Sequence, residues 1–373
     1  MSGRPTHRID RNVRNRIIAV GVLSLVAWTL LQAMSPRSAL PWSEEMAGAA
    51  ARMHQAMEAL AAYCDSAGIP IDESLDPNRT CLIGPEYTPL FTTLGQLEAK
   101  RTTTNPDVAA LLAHLFGRAG VSAGDTIAVG ASASFPALLI ATQCAAEEMR
   151  VHPVVVLSVG ASSYGATRPD FNLLDMHQLL VAKGVLRTSA AAVSLGGEGD
   201  VGAEFEESLT GSIARRVEAS GIPFLHDPTL RGSVAKRMEI YGGVLGKRPV
   251  AAFVNIGGSD ANIGTSPLVL DVRPGVHTDL ELPAPRERGV LYEMAAQGVP
   301  VIHLLYIRGL VLQHGLPWDP VPLPEPGTTQ LYAGVQVRSG LVWLVVIAYF
   351  ASLGATVAWC RREPRGESAP DVH

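Results

Sequence analysis

The sequence predicts an α/β domain with a doubly wound, mostly parallel sheet and Rossmann-like alternation of strands and helices, flanked by N- and C-terminal transmembrane helices. From residue 105 to about 310, short apolar runs alternate with longer helical segments. The runs are nearly continuous in Val, Ile, Leu and Ala, which is typical of strands buried on both faces. An apolar segment without charged residues lies near each end of the chain. Alternation implies right-handed βαβ crossovers.

The elements follow in chain order. An Ala-rich helix is predicted over 44–66, and a Pro- and Asp-containing loop over 68–78. The predicted strands cover residues 126–130, 153–159, 190–195, 222–225, 250–256 and 299–306. The predicted helices cover residues 105–119, 135–150, 171–182, 204–220, 229–245 and 287–297. These elements divide the central region into a helical lead-in and loop (35–104), an α/β domain (105–310) and a Pro-rich connector (311–339).

The two apolar segments, 17–34 and 340–360, are each close to the roughly 20 residues that a membrane-spanning helix needs. Five arginines precede the first segment and three follow the second. Because Lys and Arg mark the cytoplasmic side, the tails 1–16 and 361–373 are expected in the cytoplasm. The protein is then a two-pass cell-membrane protein with an extracytoplasmic central domain. The alternatives are a cleaved signal peptide for the first segment and a buried core helix for the second.

Charge is unevenly placed along the chain. The tails hold eight of the 30 Lys and Arg and four of the 35 Asp and Glu, which leaves 22 against 31 and a net charge of −9 between the apolar segments. A net-negative domain argues against nucleic acid as a partner. It also requires that any acidic ligand be bound in a local basic pocket.

The cysteine and glycine patterns do not predict a cofactor. No Cys or His spacing predicts a metal site, and no GxGxxG or P-loop predicts a nucleotide, so no cofactor is expected. Cys64 and Cys81 are a candidate disulfide in an oxidising compartment. The alternative is two unpaired, buried thiols.

Four Gly-rich turns follow predicted strands, at residues 130–134, 160–165, 196–200 and 257–262. Ligands of open α/β sheets bind beyond the carboxyl ends of the strands, where glycine lets the backbone approach and helix N-termini offer N–H groups. A Lys-Arg-Thr-Thr-Thr run at 100–104 could clamp a carboxylate or phosphate. Helix caps, turns and a solvated surface run are the structural alternatives. The candidate ligand-binding residues are Lys100, Arg101, Ser132, Ser134, Ser162, Ser163, Asp200, Ser259, Asp260 and Asn262.

A catalytic alternative uses Ser132, Asp260 and His303. Residues 130–134 read as a nucleophile elbow between a strand and a helix, and the three residues occur in the Ser, Asp, His order of α/β-hydrolases. However, Ser134 stands where the GxSxG motif has its last glycine. Too few strands precede the elbow for that fold, and a histidine inside an apolar strand is more often a core residue.

Six stretches of the chain carry a resemblance to a known family: LGQLEAKRTTTNPD, GDTIAVGASASFPALLIAT, SVGASSYGATRPDFNLLDM, AVSLGG, RMEIYG and AAFVNIGG. Together they resemble the poly-gamma-glutamate system proteins, a bacterial family. The resemblance implies a role in synthesis or export of this polymer, with other subunits of that system as partners and an anionic polymer or small gamma-glutamyl precursor as ligand. It carries over no catalytic residue. The alternatives are an extracytoplasmic serine hydrolase or transferase acting on the polymer, and a small-anion sensor.

Overall fold

The computed structural model describes residues 11–33, 37–39, 41–243, 249–335 and 339–362. The α-helices are α1 Arg11–Ala33, α2 Ser43–Ala67, α3 Leu97–Thr103, α4 Asp107–Arg118, α5 Pro136–Glu148, α6 Leu173–Ala182, α7 Glu207–Ala219, α8 Leu230–Gly243, α9 Asp260–Ile263, α10 Val290–Ala296, α11 Ile307–Gln313 and α12 Ser339–Arg362. The strands are β1 Arg37–Ala39, β2 Phe91–Thr93, β3 Thr126–Ser132, β4 His152–Ser158, β5 Ala161–Ser162, β6 Ala192–Ser194, β7 Ala252–Ile256, β8 Gly275–His277, β9 Val301–Leu304 and β10 Ala333–Val335.

A six-stranded sheet with the order β6-β4-β3-β7-β9-β8 forms the centre of the unit Pro41–Tyr332. All neighbours are parallel except β8, which runs antiparallel to β9 at one edge. Helices alternate with the parallel strands, which confirms the mixed α/β, mostly parallel prediction. The strand order reverses direction between β3 and β7. Parallel sheets place their ligand crevice at such a switch point.

Two parts of the sheet differ from the prediction. The segment 222–225 forms only an isolated bridge between Val193 and Phe224, because Pro223 has no N–H to donate to a ladder. The antiparallel strand β8 was not predicted. It has three residues, Gly275–His277, only one of them buried, and therefore lacks the apolar run that marks the inner strands.

The predicted lead-in and most of the predicted connector belong to the same compact unit as the sheet. Helix α2 buries Met46 and Met53 completely, and its Arg52 pairs with Glu148 of α5 (Nε–Oε1 2.7 Å). In the connector, Thr329 Oγ1 and Tyr332 OH donate to the buried carboxylate of Asp107 at 2.6 and 2.9 Å. Neither the predicted boundary at 104/105 nor that at 310/311 therefore separates two units.

The other unit contains α1, β1, β10 and α12. β1 pairs antiparallel with β10, and the hydroxyls of Ser24 in α1 and Tyr349 in α12 are 2.9 Å apart. Within the described part of the chain, no helix combines the length and the hydropathy needed to cross a bilayer. Residues 1–10 and 363–373, which make up most of the two predicted cytoplasmic tails, lie outside the described residues.

Cys64, near the end of α2, and Cys81 form the candidate disulfide. The two half-cystines are buried and 17 residues apart in sequence. Because such a bridge restricts the unfolded chain, closing a loop of this length contributes about 3 kcal/mol to stability. Cys144 in α5 is a free cysteine, and burial raises the pKa of its thiol.

We expect the Cys64→Ala/Cys81→Ala variant to lose about 3 kcal/mol of unfolding free energy. Urea unfolding without reductant measures this loss. The matched control is the wild type in dithiothreitol, which should then unfold at nearly the same urea concentration as the variant. Equal stability of variant and oxidised wild type would show that the bridge contributes nothing.

Candidate functional site

A cavity of about 600 Å³ lies at the carboxyl ends of the central strands. The four predicted Gly-rich turns all contribute to its lining, together with residues of β2, α3 and the turn after β9. The strand ends meet there because the sheet is in register: Ser132 of β3 lies opposite Ser158 of β4, which lies opposite Ser194 of β6. Residues that are far apart in sequence are thereby brought around one space.

Lys100 reaches into this cavity from α3 and is only 2% exposed. Its ammonium Nζ donates to the backbone oxygen of Ser134 at 2.5 Å and to Ser162 Oγ at 2.6 Å. It also lies 3.7 Å from the centroid of the Phe135 ring, a cation–π geometry. Burial lowers the pKa of Lys100 to about 7, and no carboxylate within the described ranges contacts the ammonium to oppose this effect.

The position of Ser162 depends on the small parallel pair formed by β2 and β5. Thr93 is the register partner of Ser162, and the Ser162 N–H donates to Ser134 Oγ at 3.0 Å. Gly95 allows this packing, because a Cβ at that position would lie 3.1 Å from both Ser162 Oγ and Lys100 Cε, and 2.7 Å from the backbone oxygen of Ser163. The pairing of β2 with β5 and the close approach of Gly95 therefore hold Ser162 against Lys100.

Ser132, the last residue of β3, has a buried Oγ with no hydrogen-bond partner among the described residues. Gly257 approaches this hydroxyl so closely that a Cβ there would collide with it, and its φ of +79° also favours glycine. A buried hydroxyl without a partner costs about 1–3 kcal/mol. Because Ser132 also lines the cavity, a ligand group can supply the missing partner.

Carboxylates from two of the turns line the same cavity. Asp260 accepts a hydrogen bond from the Gly199 N–H at 2.9 Å, and Glu204 accepts one from the Glu198 N–H at 2.9 Å. Burial raises the pKa of Asp260, and the hydrogen bond from Gly199 opposes this effect. Glu198 completes the acidic part of the lining.

Arg308 lines the cavity as a second cation and is exposed. Its guanidinium lies 5.7 Å from the centroid of the Trp318 ring. Tyr306, next to it in the lining, is 66% exposed and adopts a left-handed conformation (φ +60°) that is uncommon for an aromatic residue. Such backbone strain concentrates at functional sites.

The structure does not assemble the predicted Ser132–Asp260–His303 triad. His303 Nδ1 contacts the side-chain nitrogen of Asn255 at 3.0 Å, and Asn255 lies opposite Gly130 in the neighbouring strand. His303 is thus two strands from β3, roughly 10 Å away at the usual strand spacing, and level with a residue that precedes Ser132. Burial lowers its pKa to about 4. It is a core histidine.

The predicted ligand-binding residues divide into two groups. Those that line the cavity are Lys100, Ser132, Ser134, Ser162, Ser259 and Asp260. Those that are not among the described lining residues are Arg101, Ser163, Asp200 and Asn262. Arg101 is ion-paired with Asp319 (Nη2–Oδ2 2.5 Å), and Asp200 is buried in an ion pair with Arg237 (Nη1–Oδ2 2.6 Å).

The remaining two pack inside the protein, Asn262 against Gly130 and Ser163 behind Gly95. Glu198, Glu204 and Arg308 also line the cavity but are not among the predicted residues. Glu198 lies within one of the predicted turns and could have been included. Nothing in the local sequence marks Glu204 or Arg308.

Across the described ranges, no group of three or more His, Cys, Asp and Glu side chains is placed to hold a metal ion. The chain matches no protein-family model, no curated protein and no solved structure. The resemblance to the poly-gamma-glutamate system proteins therefore stays a prediction.

Proposed function

We propose that the protein is a membrane-anchored, extracytoplasmic component of a bacterial poly-gamma-glutamate synthesis or export system, and that its cavity binds the end of a gamma-glutamyl chain or a small gamma-glutamyl precursor. The pathway is supported by the sequence stretches that resemble this family. The strand order, which reverses between β3 and β7, supports a doubly wound sheet with its ligand crevice at this edge.

The observation that carries the choice of ligand is the mixed charge of the cavity. Two cations, Lys100 and Arg308, line it together with three carboxylates, Glu198, Glu204 and Asp260. The middle of a polyanion would meet repulsion there. The amino end of the chain is different, because its terminal gamma-linked glutamate carries one ammonium and one carboxylate beside its amide. Groups of both signs in one cavity suit such a zwitterion.

Location outside the cytoplasm rests on the two arginine-flanked apolar segments of the sequence. We expect protease added to intact spheroplasts to cleave the central region while a tag after His373 stays protected. A version with the tag inserted in the loop at 68–78 is the control for access. Digestion of the C-terminal tag from outside would contradict the two-pass topology.

We expect gamma-linked diglutamate to raise the melting temperature of the purified full-length protein. At a concentration 100 times the dissociation constant, a single site adds about 2.7 kcal/mol to the unfolding free energy. Removing a cation from the cavity should weaken this effect, so Arg308→Gln should give a smaller shift at equal ligand concentration. Arg286→Gln is the matched control, because Arg286 is 86% exposed in its side chain and does not line the cavity.

Inorganic phosphate and free glutamate complete the screen. A shift with phosphate alone would favour the small-anion sensor, and the absence of a shift with any gamma-glutamyl compound would contradict the proposed ligand.

A further inference from the structure

Lys100 and Ser162 form a buried lysine–serine pair inside the cavity. Their contact of 2.6 Å is within hydrogen-bond reach for proton transfer. Both side chains line the cavity, so a ligand can reach the hydroxyl. A nucleophilic serine requires a base at this distance, and lysine serves in that role in known Ser–Lys variants of the catalytic triad.

Lys100 differs from a lysine that serves only as a fixed cation in that no carboxylate among the described residues contacts its Nζ. A lysine that only binds anions or holds an ion pair is kept charged by neighbouring carboxylates or by water. Nζ of Lys100 instead has a backbone carbonyl, a hydroxyl and an aromatic face as its neighbours. The other charged side chains that line the cavity in the described part of the chain are Glu198, Glu204, Asp260 and Arg308. None of these carboxylates raises the pKa of Lys100, which burial alone lowers. The carbonyl, the hydroxyl and the ring attract an ammonium, but burial without a carboxylate partner lowers the pKa of Lys100 to about 7. Both forms of Lys100 are therefore present at neutral pH, including the neutral amine that a general base needs.

We propose that the protein is an acyl-transfer enzyme in which Ser162 is the nucleophile and Lys100 is its general base, acting on a gamma-glutamyl amide. The acyl group is taken from the proposed function, on which this inference rests. The lysine–serine pair itself is independent of that assignment and requires only a carbonyl substrate.

The first half-reaction forms an ester. Neutral Lys100 Nζ takes the proton of Ser162 Oγ as the oxygen bonds to the gamma-carbonyl carbon of the substrate. The tetrahedral intermediate then collapses, the C–N bond breaks, and the Lys100 ammonium returns the proton to the leaving amine. The products of this step are the free amine and a gamma-glutamyl ester on Ser162, with Lys100 neutral again.

The second half-reaction releases the acyl group. Neutral Lys100 takes a proton from water, the hydroxide oxygen bonds to the ester carbon, and the C–Oγ bond breaks as Lys100 returns the proton to Ser162. Amide and water are thereby converted into carboxylic acid and amine. If an amine replaces water as the acceptor, the same steps give transpeptidation of the gamma-glutamyl group.

The two neighbouring serines take other roles. Ser134 Oγ accepts from the N–H of Ser162 and so holds the nucleophile in place. Ser132 Oγ, which lines the cavity without a partner among the described residues, is the side chain available to donate to the oxyanion of the intermediate. The hydroxyl that the elbow motif singles out is thus assigned to stabilising charge and not to attack.

The test uses the purified full-length protein with gamma-glutamyl p-nitroanilide and with a gamma-linked glutamate oligomer. We expect release of p-nitroaniline and shortening of the oligomer. Both rates should fall about 10³-fold or more in Ser162→Ala and Lys100→Met. Ser66→Ala and Lys183→Met are the matched controls, because both residues are exposed and lie outside the lining, and both should keep full activity.

A measurement on the wild type removes any dependence on how well a variant folds. Rapid acid quenching followed by peptide mass analysis should find the gamma-glutamyl ester on the peptide that contains Ser162. Two outcomes would overturn the inference: no turnover by protein that still shows a melting-temperature shift with gamma-linked diglutamate, or full turnover by Ser162→Ala. The first of these leaves the proposed binding function standing. A failure of the binding function itself would appear as the absence of any shift.

Discussion

Replacing Lys100 with methionine is expected to stabilise the protein at pH 7 while it abolishes turnover. The pKa of Lys100 is lowered by burial from 10.5 to about 7. At about 1.4 kcal/mol per pKa unit, holding the ammonium in this site costs about 5 kcal/mol relative to the neutral amine. Methionine fills a similar volume without that cost.

The gain is partly offset, because the backbone oxygen of Ser134 loses its donor. An unsatisfied buried acceptor costs about 1–3 kcal/mol, so a net gain of about 2–4 kcal/mol remains. A lysine with a purely structural role would give the opposite sign. Stability gained together with activity lost is the signature of a residue retained for function.

The same pKa fixes how stability depends on pH. Between pH 7 and 10.5 the unfolded chain keeps the Lys100 proton while the folded chain has released it. The unfolded state therefore binds more protons, and the unfolding free energy of the wild type rises with pH across this window. Lys100→Met should lack this rise.

Urea unfolding at several pH values between 6 and 10 measures both effects, with Lys183→Met as the control. Lower stability of Lys100→Met at pH 7, or a pH dependence equal to that of the wild type, would contradict the account.

Arg237→Met is expected to lower the unfolding free energy by about 3–5 kcal/mol, more than any other variant proposed for this protein. Arg237 and Asp200 form a salt bridge in which each side chain is 1% exposed. Arg237 donates through Nη1 to Asp200 Oδ2 at 2.6 Å and through Nη2 to Oδ1 at 3.1 Å. Ser194 and Ser233 also donate to the carboxylate, at 2.8 and 2.5 Å. Removing the guanidinium leaves a buried carboxylate without its counter-charge, which is strongly destabilising.

The double variant Arg237→Met/Asp200→Asn separates this effect from lost packing, because asparagine tolerates the left-handed φ of +67° at position 200. Because it removes both charges, it should recover most of the stability. Arg286→Met is the control for an exposed ion pair with Glu287, and a change below about 1 kcal/mol is expected there. A double variant no more stable than Arg237→Met would contradict the explanation.

The Arg237–Asp200 ion pair also helps to position the turn that lines the cavity. Asp200 follows Gly199, whose N–H holds the Asp260 carboxylate, and Asp200 itself has a left-handed φ of +67°. Loss of the pair should therefore weaken binding of gamma-linked diglutamate as well as folding.

The long buried elements of the fold were predictable because each shows its pattern locally. β3, β4 and β7 are apolar runs and differ from the prediction by only one or two residues at their ends. The secondary-structure elements that the sequence does not predict are short or depend on tertiary contacts. α3 and α11 have seven residues each, and β2 and β5 have three and two, which is too few for a period to be recognised.

The sequence predicts where the candidate site lies, but not which side chains contact each other there. The sequence predicts one clamp formed by Lys100 and Arg101, yet consecutive helical residues point about 100° apart. One consequently enters the cavity while the other pairs with Asp319. Asp200 is predicted to bind the ligand from its place in a Gly-rich turn, and the local sequence does not show its partner Arg237, which lies 37 residues away. The contact of Lys100 with Ser162 spans 62 residues and depends on the pairing of β2 with β5, which local sequence does not specify.

The central claim is that Lys100 titrates near neutral pH beside Ser162 and activates it. The most direct measurement is the rate at which a fluorophosphonate labels Ser162 in the full-length protein as a function of pH. Peptide mass analysis identifies the labelled serine. The account predicts labelling at Ser162 with an inflection near pH 7, lost in Lys100→Met and kept in Lys183→Met. Labelling of a different serine, or an identical pH profile in Lys100→Met, would contradict it.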